Sequence, residues 1–364
     1  MTSARRIRTR LCAVAIALSI VRAATADPPR SARAEPDRSA RTLALLRARA
    51  EAVCQPQPNF AALAEHLAES FVVATGTPFP GETNQTRRAA YLRALQAPQP
   101  QKTCSIAMVL ATADRGLVIK RFDLETTLPG AARPSRLSYL QLDQLRLDAR
   151  GDLLRTVFWY PEIHISAQLG DRDAPYDPEA AQPVEPPAPA VFSAATFTAA
   201  EDANRELAAR LFRALDRRDG AAAAACFAPT SVEHPFDLPA QRFASREARA
   251  AAFDRWLGPR DPSKLAVRDL WAAGEWVVAN IAHSYRAARD LPDLPGTAGK
   301  DVLTYSLWVM HVREGSITEA WTASSRRLEW LQLGVFGVNE FNERFARLVE
   351  QLRAAPPRPR PRRR

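Results

Sequence analysis

The residues of this chain best suited to moving protons lie in its last third. Residues 231–239 read SVEHPFDLP, which sets His234 beside Glu233 and close to Asp237. Imidazole titrates near physiological pH, so a histidine with a neighbouring carboxylate can act on a substrate as acid and base. The competing reading is a loop histidine whose ring bonds only to backbone. His283 falls in phase with Val277, Ala279 and Ile281, which makes it either a satisfied core histidine or a contact in a pocket wall. On the next strand Tyr305, Leu307, Val309 and His311 alternate together. Tyr305 could donate its hydroxyl to a bound carbonyl, or pack as a core aromatic, and His311 is expected on the same face. The histidines His66, His164, His234, His283 and His311 show no metal-ligand spacing, and no P-loop, dinucleotide fingerprint or G-x-S-x-G elbow occurs. Neither a metal nor a cofactor is expected.

The elements that must position these side chains are strands. Asp301 to Trp330 reads DVLTYSLWVMHVREGSITEAWTASSRRLEW, where two alternating apolar runs, Val302–Val312 and Ser316–Ala323, are separated by Arg313, Glu314 and Gly315. That is a β-hairpin pattern. With the helical segments upstream and the ending Leu331-Gln332-Leu333-Gly334, the region resembles the nuclear-transport-factor-2-like superfamily, in its SnoaL-like, polyketide-cyclase-like branch. The resemblance implies an α+β fold, a cystatin-like roll in which a curved, mostly antiparallel sheet wraps around N-terminal helices and encloses an apolar cavity. It also implies a general base four residues beyond the tryptophan of the final strand. Here Glu319-Ala320-Trp321 begins that pattern, but the fourth position past Trp321 is Ser325, and a hydroxyl cannot accept a proton near neutral pH without a base of its own. Glu319 is the substitute carboxylate, with a solvent-facing strand residue as the alternative. Trp321 and Ser325 are then expected in the pocket, alongside His283 and His311.

The first half has the same order of elements. A helix containing Phe60 to Phe71 and a second over Thr86–Leu95 precede strands at Cys104–Thr112, Leu117–Thr127, Arg136–Leu147 and Leu153–Ile165. The second half reads as helices at Glu201–Leu215, Ala221–Phe227 and Ser245–Trp256, then strands at Leu265–Trp271, Trp276–Tyr285 and the final hairpin. Tyr139 aligns with Tyr305, and tandem duplication accounts for the shared order. The expected organisation is a leader over 1–26, a disordered stretch over 27–40, a degenerate first domain over 41–169, a Pro-rich linker over 170–196, a SnoaL-like domain over 197–352 and a disordered basic tail over 353–364. Six of the seven Trp, all but Trp159, lie in the second half, which favours that half for a ligand cavity.

Composition narrows the function class. The net charge is +10, yet residues 1–26 hold five Arg and 353–364 hold six, with no acid in either, so the stretch between them carries −1. Phosphate binding needs a basic footprint on a folded face, so no nucleic-acid partner is expected. Arg5, Arg6, Arg8 and Arg10 precede an apolar run from Leu11 to Val21 and the small residues Ala24-Thr25-Ala26, the pattern of a cleavable secretory signal. That run is too short to span a bilayer. A secreted or periplasmic protein without a membrane span is therefore expected, in which Cys54 and Cys104 can pair and Cys226, inside AAAAACFA, is buried. The leading expectation is a protein that binds a small, largely apolar molecule in its second domain. The alternatives are an isomerase, cyclase or hydratase using His234, Glu319 or Asp237 with Tyr305, and a module that self-associates as a homodimer through the outer sheet face.

Overall fold

Backbone hydrogen bonding joins the described strands into two six-stranded sheets. The computed structural model describes residues 36–55, 67–75, 102–126, 135–159, 185–236, 240–292 and 294–335. The first sheet is built from β1 (Leu67–Thr75), β2 (Lys102–Ala111), β3 (Arg115–Thr126), β4 (Ser135–Leu147), β5 (Leu153–Trp159) and β6 (Val191–Ala194), with helix α1 (Pro36–Cys54) on one face. The second comprises β7 (Phe227–Pro235), β8 (Gln241–Phe243), β9 (Arg260–Ala273), β10 (Trp276–Ala287), β11 (Asp301–Arg313) and β12 (Ser316–Ser324), with α2 (Ala199–Asp216), α3 (Gly220–Ala224), α4 (Arg246–Leu257) and α5 (Arg326–Leu333). The fold class is α+β, and the two sheets fit two cone-like domains.

Both sheets contain one five-strand arrangement. In the first the order runs β1-β5-β4-β3-β2, in the second β7-β12-β11-β10-β9. In each, the first strand is parallel to the last and the others form an antiparallel meander. They differ at the edges, where β6 adds parallel to β2 and β8 adds antiparallel to β7. The β11–β12 turn is Glu314-Gly315, at φ 49° and 69°. Positive φ at both central residues matches the right-handed twist of the flanking strands, and glycine is the residue that adopts it without steric cost.

Helix α2 shows how the second cone is fastened. Thr198 caps it by accepting from the Glu201 backbone N–H, while the Glu201 carboxylate accepts from Thr198 N at 3.1 Å. The same carboxylate accepts from Gly274 N at 2.7 Å in the β9–β10 turn, tying the helix start to the sheet. Leu207, Ala208, Leu211, Phe212 and Leu215 form one buried stripe on the inner face of the sheet. Burial of each large side chain there contributes about 1.5–3 kcal/mol.

The outer face of the second sheet is apolar too, and the first sheet covers it. Trp271, Trp276, Val278, Leu307, Val309 and Trp321 pack in one cluster with Met108, Leu110, Ile119, Leu140, Leu142 and Trp159. Asp269 bridges to Arg115 at 2.9 Å and to Arg146 at 3.2 Å, and Asn280 donates to Gln144 at 3.0 Å across the seam. The face expected to hold a homodimer is thus occupied within the chain, because so apolar a surface must be removed from water.

Several other expectations are corrected. Helix α1 begins at Pro36, inside the stretch expected to be disordered: proline is tolerated in a first turn, and Ser39, Thr42, Leu46 and Ala50 give the helix a buried face. The segment read as helix from Phe60 to Phe71 contains the start of β1 at Leu67, where pairing with β5 overrides a weak local propensity. The linker contributes β6 to the first sheet. His234 sits on β7 rather than in a loop. Two expectations hold: Cys54 and Cys104 form a disulfide between α1 and β2, and Cys226 is buried. The leader, the Thr86–Leu95 helix, Asp237 and the basic tail lie outside the described residues. Among the described residues no helix is long and apolar enough to cross a membrane.

Candidate functional site

The two faces of the second sheet separate side chains that are neighbours in sequence. On β7, Glu233 aligns with Ala320 of β12 and His234 with Trp321. Ala320 belongs to the helix-facing core and Trp321 to the seam between the sheets. Glu233 therefore faces inward and His234 outward, as successive strand residues must.

On the inner side lies a cavity of about 320 Å³, walled by Phe243, Phe253, Trp256 and Trp308 and containing Glu233 and Arg249. Helix α4 delivers Arg249: Ser245 caps the helix by accepting from Ala248 N, and Arg249, Phe253 and Leu257 share its buried face. Arg249 is 1 % exposed. Its guanidinium carbon lies 3.8 Å from the Phe227 ring centroid and 4.0 Å from that of Phe243, a cation–π setting. Nε donates to Ser231 Oγ at 3.0 Å and Nη1 to Glu233 Oε2 at 3.2 Å. Thr322 Oγ1 donates to the other Glu233 oxygen at 3.3 Å.

Burial dominates the electrostatics of this pair. It raises the Glu233 pKa despite the opposing Arg249 charge, and it lowers the Arg249 pKa despite Glu233. Both shifts disfavour the charged forms, as expected where desolvation outweighs mutual attraction. Arg249 Nη2 is buried without a hydrogen-bond partner among the described residues. A carboxyl group displaced toward neutrality, beside an unused cationic donor and inside an aromatic cavity, is an arrangement that can move a proton and hold the developing negative charge.

The residues singled out from sequence fall elsewhere. His234 Nε2 lies 2.7 Å from Glu319 Oε1, and its ring stacks on Trp321 with centroids 4.8 Å apart. Trp321 Nε1 donates to Glu185 O at 3.0 Å. Trp276 contacts Trp321 and stacks on His311, whose Nε2 is 3.1 Å from Glu275 Oε2. Tyr305 packs against the same seam cluster. The structure thus brings His234, Glu319 and Trp321 together, with His311 one ring away, but on the outer face rather than in the cavity. Trp321 and His311 are corrected as pocket residues on that ground: the alternation was right and the face was wrong.

His283 lies on the inner face yet is not among the cavity-lining residues. Ser263 Oγ is 2.8 Å from its Nε2, the rings of Trp256 and Tyr285 flank it, and burial, aided by the nearby Arg260 charge, pushes its pKa down to about 4. It is a satisfied core histidine. Ser325 Oγ accepts from Tyr305 N at 2.8 Å and meets Thr304 Oγ1 at 2.9 Å, so it closes the end of the hairpin instead of lining the cavity. Arg249 and Thr322 were missed from sequence, and Glu233 was noticed only as a neighbour of His234. A signal for Arg249 existed: it stands on one helical stripe with Phe253 and Leu257, where a cation needs a reason to be.

Residues 208–320 match the SnoaL-like domain family, a span that includes Glu233, Arg249 and Trp308. Similar solved structures include AclR of Streptomyces galilaeus, a candidate hydroxylase, at 17 % identity and TM-score 0.33, covering 38 % of this chain and 99 % of its own. IdmH of Streptomyces antibioticus, a candidate polyketide cyclase, is 22 % identical at TM-score 0.32, covering 36 % and 98 %. A candidate SnoaL-like polyketide cyclase from Jannaschia is 13 % identical at TM-score 0.35, covering 38 % and 97 %. No curated protein matches the chain.

Proposed function

From the SnoaL-like domain that this chain carries at residues 208–320, we propose that it catalyses proton transfer on a small, largely apolar carbonyl compound in the second-domain cavity. The observation that carries this reading is the Glu233–Arg249 pair, with its unpartnered Nη2, in an aromatic chamber of about 320 Å³. A chamber near the lower end of the usual ligand-site range, some 300–1,000 Å³, takes a small organic molecule.

In this reaction the Glu233 carboxylate takes a proton from the carbon next to the carbonyl. The C–H electron pair becomes the new C=C bond and the carbonyl π pair moves onto the oxygen, where Arg249 Nη2 donates a hydrogen bond to the resulting enolate. Glu233 then returns the proton at the same or a conjugated carbon, giving exchange or isomerisation. The raised pKa suits this cycle, because a base that is too acidic transfers protons poorly. Thr322 keeps the carboxyl oriented.

The test is solvent-deuterium exchange followed by NMR, across a panel of small aryl and alkyl ketones. The native protein exchanges the α-hydrogens of at least one member, and Glu233→Gln lowers that rate about 10²- to 10⁴-fold. Exchange in no ketone, or full exchange by Glu233→Gln, contradicts the reading.

The leader pattern supports export, and so does the Cys54–Cys104 disulfide, since such bonds persist in oxidising compartments. The shared five-strand order, with Tyr139 on β4 and Tyr305 on β11 at corresponding strands, supports a tandem duplication with domains over 41–169 and 197–352.

A further inference from the structure

The first domain holds a cavity of its own, beneath α1 on the face of its sheet turned away from the seam. Its volume is about 190 Å³, and the polar part of its wall is Lys120, Tyr139, Gln141, Asp143 and Thr156, with Arg49 from the helix. Strand register puts the sheet residues on one face: Lys120 of β3 aligns with Gln141 of β4, and Asp143, two residues on, aligns with Phe158 of β5. Lys120 is 3 % exposed, and its Nζ lies 2.6 Å from Asp143 Oδ2. Gln141 Nε2 donates to the other Asp143 oxygen at 2.7 Å. Thr156 is 2 % exposed, and its hydroxyl is buried without a partner among the described residues.

Charge is balanced in this chamber. Lys120 and Asp143 neutralise each other and Arg49 is not a free cation, so a charged ligand would be desolvated with no counter-charge to meet it. Hydrogen bonding is not balanced. Both Asp143 oxygens already accept a bond. Lysine presents three donors and no acceptor, and Asp143 takes one of them. Burial holds the Tyr139 pKa up at about 12, which keeps that phenol protonated and able to donate. Donors are thus in surplus, those of Lys120 can be satisfied only by an acceptor, and buried donors left unmade cost stability.

We infer that this cavity is a second ligand site, which takes a small uncharged organic molecule with hydrogen-bond-accepting oxygens, such as an ester, through Lys120 and Thr156. Phe122 and Phe158 supply apolar wall for its hydrocarbon part. The volume is below the drug-sized range, so the ligand is on the scale of a single ring or a short chain. This site is independent of the second-domain reading and stands or falls separately.

Calorimetric titration of the full chain tests it with three probes of similar shape: methyl benzoate, which only accepts hydrogen bonds, isopropylbenzene, which makes none, and benzoate, which is charged. Methyl benzoate binds saturably, and benzoate at least about tenfold more weakly, as expected where a buried charge finds no partner. Thr156→Val weakens methyl benzoate binding severalfold and leaves isopropylbenzene binding unchanged, while Thr156→Ser, which keeps the hydroxyl, retains the native affinity. Lys120→Met paired with Asp143→Leu avoids stranding a buried charge, and also weakens methyl benzoate relative to isopropylbenzene. Ala252→Phe, which fills the second-domain chamber that Ala252 lines, leaves this binding in place. Absence of saturable methyl benzoate binding, equal or tighter binding of benzoate, equal effects of Thr156→Val on methyl benzoate and isopropylbenzene, or loss of binding on Ala252→Phe overturns the assignment.

Discussion

Glu233 and His234 are adjacent in the chain and end in different environments. Glu233 enters a chamber with room for a ligand, while His234 is stacked on Trp321 in a packed seam. The same strands supply both settings, and the parity of each residue decides which one it joins. In the inner-face chamber Glu233 and Arg249 form a buried pair with one donor unpartnered among the described residues. On the outer face polar groups border a cluster of tryptophans that holds two sheets together. The proposed chemistry uses the first face, and the second joins the two sheets.

Substitutions on the two faces should separate accordingly. Arg249→Met is expected to do most harm, since it leaves the Glu233 carboxyl buried without its cation. The loss of stability is about 3–5 kcal/mol by chemical denaturation, together with loss of ketone exchange. Arg249→Lys recovers part of the stability but little of the exchange, because a lysine cannot bond Ser231, Glu233 and a ligand in one plane. Trp321→Ala opens a hole in the seam and lowers stability by a comparable 3–5 kcal/mol, roughly the cost of deleting a large buried aromatic. The fraction that remains folded keeps its exchange rate, which distinguishes it from the Arg249 variants.

The inner face also sets a pH dependence. His283 has its pKa depressed from the ordinary 6.5 to about 4, so the unfolded chain binds this proton before the folded one does. Its contribution is fully present above pH 6.5 and is lost as pH falls toward 4, on the order of 3 kcal/mol in all. Denaturation midpoints measured across this window should fall with acidity, and His283→Gln should flatten the slope. Glu233 has the opposite sign: its raised pKa favours the folded state at low pH, and that contribution is lost as pH rises past the usual carboxylate range and through the raised pKa. The smallest effect belongs to His234→Gln, which removes a stacked ring and a bond to Glu319 and should cost about 1–2 kcal/mol.

Much of the second half was legible in its sequence. The β11–β12 hairpin, the β9–β10 strands and α2 carry strong local signals: period-two alternation, a Glu-Gly turn and a capping box. What stayed hidden was non-local. β7 pairs in parallel with β12, far along the chain, and its prolines and charges disguise its alternation. Without β7 as a strand, Glu233 and His234 could not be assigned to faces. Nor does alternation alone tell which face a cone turns inward: His311 and Trp321, expected in the pocket, border the seam, where Tyr305 packs as the core aromatic that was its alternative reading. β6 escaped for a similar reason: four residues in a Pro-rich run carry no signal until β2 offers an edge.

The most direct test sets the two neighbours against each other. Ketone α-hydrogen exchange is measured by NMR in Glu233→Gln and in His234→Gln, each confirmed folded at the assay temperature. The inner-face account predicts that the Glu233 variant loses the activity by at least two orders of magnitude, the lower bound for a lost general base, while the His234 variant stays near the native rate. Loss of exchange in His234→Gln with retention in Glu233→Gln would move the chemistry to the seam and contradict the account.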